Sequence, residues 1–360
     1  MELLLIQDVY ITFISLTAIW AIIIDLIIGD PNFKFHPVML IGKSISFFKS
    51  KLRTGNQKRD KLNGILLIFI VILIFCSISI GIQIGVWKFW NFQNIDPNYA
   101  PKFWELGIIT FLLGFLLKWT FAIKNLGDVT KPIQNFLEND ALEQAQEKLS
   151  WIVRRNTKIL DEQHIISASV EVIAESSTDA VTSVFWFYFM GGLLGFILSI
   201  LTNGSFFLFL PIGFAYLYRI INTGDSVVGY KDEENINIGW FSAKSDDVAN
   251  FIPTRLTVLC MFIIGFLMKL NISNAKFILK RDARTLESMN AGWTMGLMAG
   301  LLDVQLEKPG SYILGDKNRD LKPADIFLSY KCTRLSMLLF IILFGLISLL
   351  IIWGLSLYAN

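Results

Sequence analysis

Apolar positions in this chain come in long uninterrupted runs, separated by polar segments of very unequal length. The runs are Val9 to Ile28, Gly64 to Trp87, Trp104 to Ile123, Phe185 to Ile221, Phe251 to Leu270 and Met337 to Leu357. The stretch from Gly64 to Trp87 holds no charge at all, and about 20 apolar residues suffice to cross a bilayer as helix. Phe185 to Ile221 is too long for one crossing and is interrupted by Thr202-Asn203-Gly204-Ser205, so it predicts a helical hairpin. The pattern predicts an all-α, polytopic integral membrane protein, organised as a single multi-pass domain. Its polar loops cover about 29–63, 124–183, 222–250 and 271–335.

Composition agrees with this class: 54% of residues are hydrophobic and 17% charged, with a mean hydropathy of +0.54, too apolar for an ordinary soluble domain. Residues 1–28 lack a basic leader and a small-residue cleavage site, so they are expected to be a retained first span. The net charge of +2 offers nothing to nucleic acid. Cys76, Cys260 and Cys332 make no metal-binding or disulfide spacing.

Charge orients the spans. Residues 29–63 carry eight Lys or Arg against two Asp, which predicts a cytoplasmic loop and an outer N-terminus. Few charges and the aromatic residues Trp87, Trp90, Tyr99 and Trp104 mark the next connection as an outer interface. Residues 271–335 hold ten Lys or Arg against seven acids. They are cytoplasmic only if Phe251 to Leu270 is re-entrant or the hairpin crosses an odd number of times.

Chemistry is expected where the polar segments are richest. Glu171, Glu175 and Asp179 recur at four-residue intervals, along one face of a helix, with Arg154 and Arg155 upstream. Carboxylates beside an arginine pair suit a magnesium ion and a phosphate-bearing substrate, although a solvated helix face gives the same pattern. Asn156, Thr157, Asp161 and Glu162 offer cap chemistry ahead of this helix. Asp225, Asp232, Asp246 and Asp247 make 222–250 more acidic than a connector needs. Asn290-Ala291-Gly292-Trp293 opens a helix rich in small residues, which serves either backbone approach to a ligand or plain helix packing. His36, in a turn before Pro37, reads more readily as a satisfied turn histidine than as a catalytic one.

These residues also carry a resemblance. Gly29-Asp30-Pro31 with His36-Pro37-Val38, Val153 to Thr157 with Leu160-Asp161-Glu162, and Glu171 through Glu175 to Asp179 occur in that order. Asn222-Thr223 with Asp225-Ser226, Asp247 to Asn250, Arg255-Leu256-Thr257 and Asn290 to Trp293 with Met298-Ala299-Gly300 come after them. In this the chain resembles the adenosylcobinamide-phosphate synthase family of cobalamin biosynthesis, over residues 25 to about 315. It departs at Asn156, where an acid is usual, at Ser176-Ser177 and at Thr294.

The resemblance implies an amide-forming ligase of the cell membrane, with its active loops in the cytoplasm. It would join aminopropanol, or its phosphate, to a carboxylate of adenosylcobyric acid, giving adenosylcobinamide or its phosphate. ATP as cosubstrate and Mg²⁺ are implied, the lipid bilayer is its medium, and a homo-oligomer is compatible with it. Glu171, Glu175 and Asp179 are then the catalytic candidates. Arg154, Arg155, Thr157, Asn222, Asp225, Asn290 and Trp293 are candidates for substrate or phosphate, and Glu175, Asp179, Asp246 and Asp247 for the metal. No Walker A sequence is present. The rival class is a transporter of a small charged substrate, suggested by Asp25 and Arg255 inside apolar runs, but no internal repeat accompanies them.

Overall fold

The computed structural model describes residues 2–31, 33–89, 103–202 and 207–359. Trp90, Tyr99 and the interrupting Asn203-Gly204-Ser205 lie outside the described residues. The fold is all-α, with one small antiparallel hairpin late in the chain. The chain divides into two compact units interleaved in sequence: Met1–Ala122, Val184–Val248 and Ile342–Asn360 in the first, Ile123–Ser183 and Ala249–Ile341 in the second.

The first unit is built from α1 (Glu2–Ile28), α2 (Pro37–Leu52), α3 (Gln57–Phe89) and α4 (Phe103–Lys118). With them, separated in sequence by the second unit's first segment, are most of α8 (Ser183–Leu201), α9 (Leu210–Val228) and most of α10 (Trp240–Ala249). α1 and α4 pack along each other at Gly114, where a Cβ would sit 2.7 Å from Trp20 Cβ and 3.0 Å from the Ala21 nitrogen, so only glycine lets these backbones approach. α2, α3 and α9 enclose a core of Ile41, Ile45, Leu67, Ile68, Val71 and Ile220. At one end, Lys118 and His36 converge on Asp30, with Lys118 Nζ at 2.7 Å and His36 Nε2 at 2.9 Å from Oδ1. Burial alone would raise the Asp30 carboxyl, but these two donors hold it below its ordinary value. His36 also accepts the Val38 N–H at the start of α2, so its ring is satisfied, as expected of a turn histidine.

The second unit contains α5 (Ile123–Glu138), α6 (Leu142–Ser150) and α7 (Glu162–Ser177), then α11 (Phe251–Leu267), α12 (Ile272–Asp282) and α13 (Ala291–Leu302). The hairpin of β1 (Leu306–Lys308) and β2 (Tyr312–Leu314) comes next, and α14 (Pro323–Ala359) begins in this unit. α13 is buried along nearly its whole length, as its run of Ala, Gly, Met and Leu requires, and it packs on α12, α11 and α7. Gly300 lies where a Cβ would meet the Ala275 backbone at 2.5 Å, so α12 and α13 touch backbone to backbone there.

Among the described residues, four helical stretches are long and apolar enough to cross a membrane: Asp8–Ile28, Gln57–Phe89, Glu162–Leu201 and Pro323–Leu357. Two further pairs, Trp104–Lys118 with Ile123–Glu138 and Trp240–Ala249 with Phe251–Leu267, qualify only when each is taken together across a break. The third apolar run is therefore shorter than its hydropathy suggests. α4 ends at Lys118, where Thr120 N–H and Phe121 N–H bond back to Leu117 and Lys118 in a tight final turn. Within the fifth apolar run Phe251–Leu267 is one unbroken helix, and the break falls before it, at Asn250, between α10 and α11.

Candidate functional site

α7 begins where Asp161 accepts the His164 N–H, the capping chemistry expected of Asp at this position. The helix carries Glu171 and Glu175 into the wall of a cavity of about 380 Å³. The other walls are the segment Ile152–Arg155, residues Leu286–Ser288 with the first turns of α13, and the hairpin residues Lys308, Ser311 and Tyr312. The lining has three cations, Arg154, Arg155 and Lys308, and three carboxylates, Glu171, Glu175 and Glu287. All of it belongs to the second unit.

Glu171 is only 1% exposed and accepts on both oxygens. Oε2 receives Arg155 Nη2 at 2.6 Å and the Tyr312 hydroxyl at 2.9 Å, and Oε1 receives the Ser167 hydroxyl at 2.7 Å. The same Ser167 oxygen accepts the Glu307 N–H at 2.8 Å, which ties β1 to α7. Burial and the neighbouring Glu171 carboxylate push the Tyr312 phenol up, so it stays a donor at neutral pH. Arg155, with a side chain 15% exposed, spends Nη2 on Glu171, while its buried Nη1 has no hydrogen-bond partner among the described residues. Arg155 lines the cavity, and guanidinium donors suit oxyanions in geometry and charge.

The carboxylate row is interrupted. α7 ends at Ser177 and passes into a π turn over Thr178–Thr182, whose wider winding rotates its own and later side chains out of the α-helical register. Glu175 is exposed and lines the cavity, whereas Asp179 falls in the π turn and is not part of the lining. Thr157 is buried at the start of a short 3-10 turn capped by Asn156. Asn290 and Trp293 flank the cavity residue Ala291, but their side chains hold Arg255: Asn290 Oδ1 accepts Arg255 Nη1 at 2.5 Å, and the guanidinium lies 4.7 Å from the Trp293 ring.

Asn222, Asp225, Asp246 and Asp247 belong to the first unit. There Arg219 donates to Asn222 Oδ1 at 3.1 Å, and Asn222 Nδ2 to Asp246 Oδ1 at 3.2 Å. Burial, and then the Asp247 carboxylate, push Asp225 up. Among the described residues no three His, Cys, Asp or Glu side chains gather closely enough to cage a metal ion. Magnesium in phosphoryl-transfer sites is commonly held by one or two carboxylates together with substrate phosphates, and the exposed Glu175 beside the cavity's cations fits that kind of ligation.

A family model described as CobD/Cbib protein matches residues 18–335. The chain belongs to the CobD/Cbib family. Relatives run along nearly the whole length: a probable cobalamin biosynthesis protein CobD of Methanothermobacter thermautotrophicus is 34% identical over 320 residues, 89% of this chain and 93% of its own. Cobalamin biosynthesis protein CobD of Dehalococcoides mccartyi is 32% identical over 317 residues, 87% of this chain and 90% of its own. Its counterpart in Clostridium perfringens is 32% identical over 313 residues, 85% of this chain and 89% of its own. No solved structure matches the chain.

Within the stretch that the family model covers, four of the expected site residues, Arg154, Arg155, Glu171 and Glu175, meet in one cavity. Ser167, Lys308, Ser311 and Tyr312 are additions from the structure. A signal for the hairpin did exist: Lys308-Pro309-Gly310-Ser311 is the sequence of a type II turn, with Pro second and Gly third. Gly310 takes φ 73° and Ser311 N–H bonds Lys308 O at 2.9 Å.

Proposed function

We propose that this CobD/Cbib protein is an amide-forming ligase of cobalamin biosynthesis, which attaches aminopropanol or its phosphate to a carboxylate of adenosylcobyric acid at the expense of ATP. The family match and the names of the relatives support the pathway. Support for the chemistry comes from the cavity, and above all from Arg155, a lining guanidinium whose buried Nη1 has no hydrogen-bond partner among the described residues.

A carboxylate and an ammonium do not condense in water, so the carboxylate must first be activated. Its oxygen attacks the γ-phosphorus of ATP, ADP leaves, and an acyl phosphate results. The neutral amine then adds to the acyl carbon, phosphate departs, and the nitrogen loses its proton. Charge on the transferring phosphoryl group must be met by fixed cations. Glu171 fixes Arg155 in the cavity wall, while Arg154 and Lys308 supply further positive charge from adjoining walls. Glu171, with its acceptors occupied, orients Arg155; it is a positioning residue. Glu175 is the lining carboxylate suited to a metal or to the incoming ammonium. Bound Mg²⁺ would neutralise phosphate oxygens of the nucleotide. The same reading puts the protein in the cell membrane, with this unit on the cytoplasmic side, supported by the excess of Lys and Arg in 271–335.

The deciding experiment is to incubate the detergent-purified protein with adenosylcobyric acid, aminopropanol phosphate, ATP and Mg²⁺, and to follow the corrinoid by mass spectrometry. The amide-linked product, absent without ATP or Mg²⁺, is expected. A folded protein that makes no product with aminopropanol, its phosphate or ethanolamine overturns the proposal.

A further inference from the structure

A second cationic group contacts the segment that walls the cavity. Arg255 sits one turn into α11 with its guanidinium against two rings, 3.8 Å from the Phe251 centroid and 4.7 Å from that of Trp293. Nη1 donates to Asn290 Oδ1 at 2.5 Å and to Phe251 O at 2.9 Å, and Nη2 to Met289 O at 2.9 Å. Every acceptor is neutral, so these contacts fix the position of the charge without cancelling it. Asn290, the residue preceding α13, gives its side-chain oxygen to Arg255 and makes no cap bond with its own helix. Arg284 is exposed and follows Ala283, whose backbone carbonyl packs against Gly292, the neighbour of Trp293, 2.6 Å from where a Cβ there would lie; its charge acts on Arg255. Among the described residues, neither arginine pairs with a carboxylate.

The surface next to this pair is apolar. Ile252, Leu259, Ile263 and Phe266 are exposed by 51%, 53%, 38% and 70%, and with Arg255 they succeed one another at intervals of three or four residues. That spacing puts all five on one stripe of α11. α10 and α11 meet at a bend and form either a broken span or a re-entrant loop; as a re-entrant loop, the turn of α11 next to the bend lies at the membrane surface. An arginine near the end of such a stripe reaches headgroup depth while its neighbours meet acyl chains.

We propose that Arg255 and Arg284 bind the phosphate of an anionic phospholipid whose acyl chains lie along Leu259, Ile263 and Phe266. Guanidinium groups match phosphate oxygens in geometry as well as charge, and the two ring contacts and three hydrogen bonds have already ordered the Arg255 side chain, which lowers the entropic cost of binding. Met289 and Asn290, the residues Arg255 grips, lie between Ser288 and Ala291, which line the cavity. A lipid at this site therefore bears on the segment between two cavity-lining residues.

The test uses the full-length protein in nanodiscs containing equal amounts of phosphatidylglycerol and phosphatidylcholine, re-extracted in mild detergent, with retained lipid measured by native mass spectrometry. Wild type is expected to retain phosphatidylglycerol in preference. Arg255→Gln and Arg284→Gln are each expected to reduce that preference about five-fold, the effect of one basic residue at an anionic membrane surface. Arg284→Gln decides the matter if Arg255→Gln does not fold, because the Arg284 side chain is exposed. Equal retention of the two lipids by wild type overturns the proposal, as does an unchanged preference in Arg284→Gln. Displacement of the lipid by millimolar O-phosphoethanolamine also overturns it, since the site would then belong to a soluble phosphate ester.

Discussion

Glu171 and Glu175 are one turn apart on the same helix, yet their surroundings ask different things of them. Glu171 is buried and already accepts from Arg155, Tyr312 and Ser167, whereas Glu175 is exposed at the cavity. Glu171→Gln keeps the volume but removes the charge that orients Arg155, and amide formation is expected to fall about 10²-fold, comparable with losing one transition-state donor. Tyr312→Phe removes a single hydrogen bond to a charged group, and a fall of about ten-fold or somewhat more is expected. Glu175→Gln should instead raise the Mg²⁺ concentration needed for half-maximal rate. Steady-state kinetics at varied Mg²⁺ separates the two roles, and equal Mg²⁺ dependence in Glu175→Gln and wild type would contradict the one given to Glu175. The charged members of the site were legible in the sequence because Arg and Glu stand out in so apolar a chain. Ser167 and Tyr312 were not, since their importance lies in being 2.7 and 2.9 Å from Glu171, and Tyr312 is 141 residues away along the chain.

At the scale of elements, helical periodicity located α7 and its cap at Asp161, but not the π turn that removes Asp179 from the cavity lining. Nothing in Thr178–Thr182 distinguishes a π turn from a continuing helix when the flanking sequence is equally helical. The hairpin was obscured for another reason: strands of three residues are too short to show alternation. Its position depends on Asp282 at the end of α12. Arg281 Nε and Nη2 donate to the two Asp282 oxygens at 2.6 and 2.9 Å, and Gly315 N–H, just after β2, donates to Oδ2 at 2.8 Å. Burial alone would raise this carboxyl, but Arg281 and the Gly315 N–H hold it below its ordinary value. A depressed folded value stabilises the protein above the unfolded carboxyl pKa, and that stabilisation is lost as pH falls through the folded value. Asp282→Asn is therefore expected to lower the melting temperature at pH 7, and the gap from wild type should narrow as pH falls below about 4. Scanning fluorimetry across pH measures both. A gap that stays constant with pH would mean that shape, and not charge, holds the hairpin.

For the molecule as a whole, the apolar runs sufficed to identify an all-α polytopic membrane protein, because crossing a bilayer leaves the backbone no alternative but helix or closed barrel. Hydropathy could not tell where an apolar run stops being a straight helix. α4 ends at Lys118, and the break before α11 falls at Asn250, where local hydrogen bonding overrides composition. Orientation depends on these breaks. The basic segments 29–63 and 271–335 share a side only if the chain between them crosses an even number of times, and whether the bent α10–α11 pair crosses or re-enters decides that count. Lys58 and Lys317 mark the two segments, and both are exposed. Lys58→Cys and Lys317→Cys, made singly in a chain with Cys76 replaced, should each react with a membrane-impermeant maleimide in inverted vesicles and not in intact cells. Cys260 and Cys332 are buried and contribute little background. If Lys317→Cys reacts from outside while Lys58→Cys does not, the cavity of the second unit opens away from cytoplasmic ATP. Amide formation at that cavity would then fail on topology, whatever the chemistry of its lining.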